Sequence, residues 1–145
     1  MKAMDKLIKV AKLTRENAYV CKTEHKIGAS VLTRDGKIFG GCNIESNISG
    51  LGICAERTAI MNAILTGRYE FEALLVYDID YIIPCGACLQ FLTEFKAISQ
   101  KEIVITSYSE RDEDFVVYTI TELLPRGYES KNTEKVESYR GKHEN

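Results

Sequence analysis

Cys54-Ala55-Glu56-Arg57 and Pro84-Cys85-Gly86-Ala87-Cys88 are the two stretches that most constrain this chain. Their three thiols suit one task, which is to hold a single zinc ion by three thiolates and leave a fourth position open. Any fold that permits this must bring residue 54 back alongside residues 85 and 88. Cys85 and Cys88 stand three apart and leave the same face of a helix, so both sulfurs can meet one ion. Both stretches sit where a chain arriving from a loop or strand turns into a helix, and helix N-termini favour thiolate over thiol.

Glu56, two residues from a thiol, can reach the open position without binding the ion. A closed structural site would need a fourth protein ligand. Neither histidine supplies one at ligand spacing, since His25 lies far upstream and His143 near the C-terminus. Ligand-x-Glu followed by Pro-Cys-x-x-Cys is the pattern of zinc sites that remove an amino group from a nucleobase, with Glu as proton shuttle. Three thiolates leave the ion with a net negative charge, which Arg57 can offset by hydrogen-bonding the sulfurs.

The 145 residues fit one domain, 45% hydrophobic and 28% charged, an ordinary globular composition. The net charge of -2 offers no basic surface for a long nucleic acid. The sequence contains no run of eighteen or more apolar residues, so no membrane-spanning helix is expected. The N-terminal residues lack the apolar core of a signal peptide, so a cytoplasmic location is expected. Five cysteines then read as free or metal-bound. Cys21 and Cys42, without partners at ligand spacing, read as small buried hydrophobes.

Apolar residues recur at helical spacing from Met4 to about Tyr19, predicting an amphipathic helix. The runs 27–33 and 37–44 flank Arg34-Asp35-Gly36, a hairpin signal. A loop at 45–53 precedes a helix from Cys54 to about Leu65, stopped at Gly67. Residues 71–77 read as a strand covered on both faces, and Cys85 to about Ala97 as a helix. Two further strands, 103–106 and 115–118, are separated by eight polar residues. That is too short for a parallel crossover, so they should be antiparallel. A helical turn at 121–124 ends at Pro125. The predicted fold is a three-layer α/β/α sandwich around one mixed five-stranded sheet, with residues 1–128 as the domain and 129–145 as a polar, weakly ordered tail.

These residues together resemble the cytidine deaminase family in its small homotetrameric, zinc-dependent form, from about Ala18 to Tyr128. The resemblance rests on Gly41-Cys42-Asn43-Ile44-Glu45, the two cysteine motifs with Thr58-Ala59-Ile60, and Leu123-Leu124-Pro125. It implies Cys54, Cys85 and Cys88 as Zn2+ ligands and Glu56 as proton shuttle. It implies Asn43 and Glu45 on a ribose hydroxyl, with backbone at Ala55 and Cys85 against the base and the water. Arg57 matches the family's charge-compensating arginine. The substrate would be a cytosine nucleoside in a pocket shared between subunits, as part of pyrimidine salvage.

Four positions depart from the family pattern. Cys21-Lys22-Thr23-Glu24-His25 replaces a Pro-Tyr-Ser run followed by a pocket phenylalanine, so His25 would stand at the substrate. Ser49 replaces a common tyrosine, Tyr128 replaces a C-terminal phenylalanine that stacks on the pyrimidine, and Leu89 replaces a common arginine. His25 and Ser49 favour a blasticidin-S deaminase-like activity on a modified cytosine nucleoside, whereas Asn43-Ile44-Glu45 favours plain ribose. A non-catalytic zinc-stabilised binding module is the alternative of another class.

Overall fold

A computed structural model describes residues 2–142 of the chain. His143 therefore lies outside the described residues. Five strands form one mixed sheet in the order β2-β1-β3-β4-β5: β1 Gly28–Thr33, β2 Ile38–Cys42, β3 Phe71–Asp78, β4 Val104–Ser109 and β5 Asp114–Thr119. β3 and β4 run parallel, and the β1–β2, β1–β3 and β4–β5 pairs are antiparallel. The short polar link between the last two strands does make an antiparallel pair.

Alternation along the strands divides the core between two faces. Ala29, Val31 and Leu74 face α2 (Ala55–Ile64) and α3 (Gly86–Ser99), packing with Ile60, Leu89, Leu92 and Ile105. Leu75 and Tyr77 face the other way, onto Leu7 and Ala11 of α1 (Ala3–Arg15). The result is three layers. Glycine permits two close approaches to helix backbone. A β-carbon on Gly28 would lie 2.1 Å from the Ala11 carbonyl oxygen, and one on Gly41 would lie 2.3 Å from the Ala59 nitrogen. Gly41 therefore lets the first turns of α2 lie directly on β2.

Three segments differ from the sequence reading. α1 stops at Arg15 rather than near Tyr19, because Tyr19 pairs with the segment after β2. Its N–H donates to Asn43 O at 3.1 Å, and its carbonyl accepts from the Glu45 N–H at 2.7 Å. β4 runs on to Ser109, since Tyr108 and Ser109 continue the ladder beside Tyr77 and Asp78. Residues 129–142 are not the weakly ordered tail expected. α4 (Ile120–Leu123), closed by a Thr119/Glu122 capping box, leads to α5 (Thr133–Glu137). Val136 of α5 packs on the main core, the Tyr139 ring sits 4.8 Å from Tyr69, and Arg140 Nε donates to Ile98 O at 2.6 Å. Polar composition hides this because one valine and one tyrosine supply the anchoring.

Candidate active site

Cys54 and Cys85 occupy the N-cap positions of α2 and α3, both with extended backbone and neither capping its helix with the side chain. The sulfurs are thereby left for each other. Cys54 Sγ lies 3.8 Å from Cys85 Sγ, Cys85 Sγ lies 3.5 Å from Cys88 Sγ, and the three fall within 4.8 Å of one another. Exposure is graded, with Cys85 exposed, Cys54 half-buried and Cys88 buried. Such a cluster of soft donors fits a zinc ion.

Arg57 Nη2 donates to Cys54 Sγ at 3.9 Å, and its buried Nε has no hydrogen-bond partner among the described residues. Hydrogen bonding from Cys88, then from Arg57 and Cys85, holds the Cys54 thiol down at about 5 despite its burial. Cys88 is pushed the opposite way, by its hydrogen bond with Cys54 and by burial. Without metal, then, Cys54 is driven toward thiolate and Cys88 toward thiol. Glu56 is 5% exposed, and Cys88 Sγ donates to its Oε2 at 3.7 Å. Burial raises its carboxyl above the ordinary range, favouring the proton-carrying form.

α2 is registered on the sheet by Thr58. Its Oγ1 accepts from the Cys42 N–H at 3.0 Å and donates to the Cys42 carbonyl at 2.8 Å. This fixes Glu56 relative to Asn43, the next residue. Asn43 Nδ2 donates to His25 O and its Oδ1 accepts from the Ile27 N–H, both at 2.9 Å. Glu45 Oε1 accepts from the N–H groups of Lys22 and Thr23 at 2.9 and 3.0 Å, and Oε2 accepts from the Thr23 hydroxyl at 2.8 Å. Those bonds hold the Glu45 carboxyl below its usual range. Each side chain keeps capacity: Asn43 one N–H and one lone pair, Glu45 a lone pair on Oε2. They can hold their loop and meet a hydroxyl at once.

A cavity of about 430 Å³ joins these groups, lined by Asn43, Glu45, Ser49, Cys54, Glu56 and Cys85 among others, including Ala55. That volume suits a small ligand. His25 and Tyr128 are not on its wall. His25 Nε2 instead lies 2.9 Å from both carboxylate oxygens of Asp78, a residue that nothing local in the sequence singles out. Tyr128 sits behind α3, 74% exposed, its backbone clamped by Gln90 through bonds of 2.8 and 2.9 Å. It borders a separate cavity of about 550 Å³, between α3 and the C-terminal segment, which contains neither thiol nor Glu56. Cys21, expected to be buried, is exposed because it stands in the turn leading to the Glu45-bound loop, and Cys42 is half-buried. Leu89 is a core residue, 5% exposed.

The sequence pattern of the cytidine and deoxycytidylate deaminase zinc-binding region matches residues 1–107. A cytidine deaminase of Sporosarcina psychrophila is 36% identical over 131 residues, covering 89% of this chain and 93% of its own. A blasticidin-S deaminase of Bacillus cereus is 27% identical over 115 residues, covering 72% of this chain and 78% of its own. The crystal structure of a cytidine deaminase from Burkholderia pseudomallei superposes with a TM-score of 0.79 at 36% identity, over 88% of this chain and all of that one. A match this long, carried by a fold in which both cysteine motifs meet at one cavity, decides the relationship: the chain belongs to the cytidine and deoxycytidylate deaminase family.

Proposed function

We propose that the protein is a zinc-dependent aminohydrolase that converts cytidine or deoxycytidine to the uridine product and ammonia. One observation carries the reading. Cys54 and Cys85 of the thiol cluster, the buried Glu56 carboxyl and the Asn43/Glu45 pair line one cavity, with Cys88 buried beside them.

Cys54, Cys85 and Cys88 are the metal ligands, and a zinc ion held there supplies the Lewis acidity that lets water ionise near neutral pH. Glu56 would take one proton from that water and pass it to the ring nitrogen. It would then take the second from the hydroxyl added at the amine-bearing carbon and pass it to the departing amine, so that a carbonyl forms and ammonia leaves. Its burial suits the task, since desolvation raises the carboxyl above its ordinary range and favours the form that carries a proton. Arg57 donates to Cys54 Sγ and compensates thiolate charge. Asn43 and Glu45 use their spare donor and acceptors on the ribose, and backbone at Ala55 and Cys85 meets the base and the water.

The active form is a homotetramer built around residues 1–128, with 129–145 as an appended segment, working in cytoplasmic pyrimidine salvage. Phe115, Val116 and Val117 of β5 are 40%, 39% and 48% exposed, and Leu51 near the cavity rim is 66% exposed, apolar surface that a second copy would cover. Tyr128 would act in the neighbouring subunit's pocket, where the family's phenylalanine stacks.

Turnover of zinc-loaded protein is measured on cytidine, deoxycytidine and blasticidin S side by side. Release of ammonia and uridine from cytidine is expected. Turnover of blasticidin S without cytidine would transfer the assignment to the modified nucleoside, and no turnover of any would leave a binding module.

A further inference from the structure

Asp78 is the last residue of β3 and is 3% exposed. Its Oδ1 accepts from the Ile79 N–H at 2.7 Å, and His25 Nε2 lies 2.9 Å from both oxygens. A carboxylate can only accept, so Nε2 carries the hydrogen. β3 leads into residues 79–84 and so to Cys85, and the Ile82 N–H is held by Ser107 Oγ at 2.9 Å. His25 belongs to the opposite side of the cavity, in the segment 22–27 that Asn43 and Glu45 grip.

That segment is under strain. Glu24, immediately before His25, has φ 59°, a left-handed backbone that strains a non-glycine residue. Such a conformation persists where its surroundings over-determine it. Here the Glu45 bonds hold one side of Glu24 and the Asp78 bond holds the other. A second tie runs nearby: Arg15 donates from Nε to Lys26 O at 2.8 Å and from Nη1 to Glu110 at 2.6 Å, and the Glu110 N–H donates to Asp78 O at 2.9 Å.

We infer that Asp78, acting through His25, is a positioning residue for the sugar-binding wall: it fixes segment 22–27, and thereby the orientation of Asn43 and Glu45, relative to the metal-binding wall. This rests on the deaminase reading for its kinetic consequence and on geometry alone for its structural one. Neither residue touches the reacting atoms, so their loss weakens nucleoside binding and leaves the chemical step intact.

Steady-state kinetics on cytidine and amide hydrogen exchange are measured for wild type, Asp78→Asn, His25→Ala, His25→Gln and the Asp78→Asn/His25→Ala double variant. Each of Asp78→Asn and His25→Ala should raise KM about tenfold, the scale of one charge-assisted hydrogen bond, with kcat within about twofold. The double variant should be no worse than the singles, because both remove one interaction. His25→Gln keeps an N–H donor and should recover most of the binding. In His25→Ala the amides of Lys22, Thr23 and Ile27 should exchange about tenfold faster while those of β1 stay unchanged. A role limited to stability would lower kcat in step with the folded fraction and leave KM alone. That result, additive singles, or unchanged exchange at the three amides overturns the inference. Absence of cytidine turnover in the wild type would instead overturn the deaminase reading, and exchange would still decide the positioning role.

Discussion

The cavity's metal wall and the wall proposed to meet the sugar are built by different means. Cys54, Glu56, Cys85 and Cys88 occupy the first turns of two helices, within spacings of two or three residues, and the sheet has only to bring two N-termini together. Asn43, Glu45 and the segment they hold are assembled from contacts across the chain: Glu45 to Lys22 over 23 residues, and His25 to Asp78 over 53. One wall is locally encoded and serves the chemistry. The other is a long-range assembly, and on the proposed reading it serves recognition.

If that division is right, damage to the metal wall should appear in kcat. Glu56→Gln is nearly isosteric and retains the amide as a hydrogen-bond partner, so the thiols keep their places while the proton shuttle is lost. Turnover of cytidine should fall by about 10²–10⁴-fold, the range for a positioned acid–base group, with zinc content near one per chain and little change in KM. A variant that loses its zinc would show that Glu56 supports the metal and would blur the two walls into one.

The electrostatics of the metal wall can be probed without catalysis. In zinc-free protein at pH 6, a thiol held at about 5 is roughly 90% ionised, against roughly 0.3% for an unperturbed cysteine near 8.5. Lower basicity costs nucleophilicity, with a Brønsted slope of ~0.4–0.5, so Cys54 should be alkylated only about tenfold faster than a free cysteine peptide. Its absolute rate should fall as pH drops through about 5, where Cys54 takes up its proton, whereas the advantage over the peptide fades as pH rises toward about 8.5. Peptide mapping after limited iodoacetamide treatment reads the site. Arg57→Leu removes a donor to Cys54 Sγ and should move the midpoint of the alkylation pH profile upward, and zinc should suppress the reaction.

The sugar wall should answer in KM. Glu45→Gln retains an acceptor for the Lys22 and Thr23 amides but replaces charge-assisted bonds with neutral ones. KM should rise on the order of fivefold with kcat little changed, the scale of a weakened hydrogen bond. Equal losses in kcat and kcat/KM would place Glu45 on the transition state and end the separation between the walls.

This asymmetry explains what was legible in the sequence. A Pro-Cys-x-x-Cys turn and a Cys-x-Glu helix start carry their geometry in their spacing, so the thiol cluster and Glu56 stand out before any fold is known. The antiparallel β4–β5 pair follows from linker length alone. His25 reads as a substrate contact because it occupies the position of a pocket phenylalanine. Its destination depends on Asp78, which sequence presents only as the acidic end of an apolar strand. The helix α5 is missed for a related reason: Val136 and Tyr139 stand alone among polar residues, and only the groove beside Tyr69 and Ile98 makes them anchors.

The C-terminal segment gives the comparison a control, because it packs on the domain while touching neither wall. Tyr139→Ala removes an edge-on pair with Tyr69 and part of its burial, worth on the order of 1–2 kcal/mol, and should lower Tm by about 2–8 °C. Cytidine KM and kcat should stay at wild-type values below the transition. Tyr128→Ala is the informative partner to that variant. Its ring is largely exposed and its backbone is clamped by Gln90, so truncation should cost little stability. If the ring reaches a neighbouring subunit's cavity, KM rises while Tm holds, the reverse of Tyr139→Ala, and the sugar wall extends across the assembly. If both variants leave KM untouched, Tyr128 is surface, and each chain carries its two walls alone.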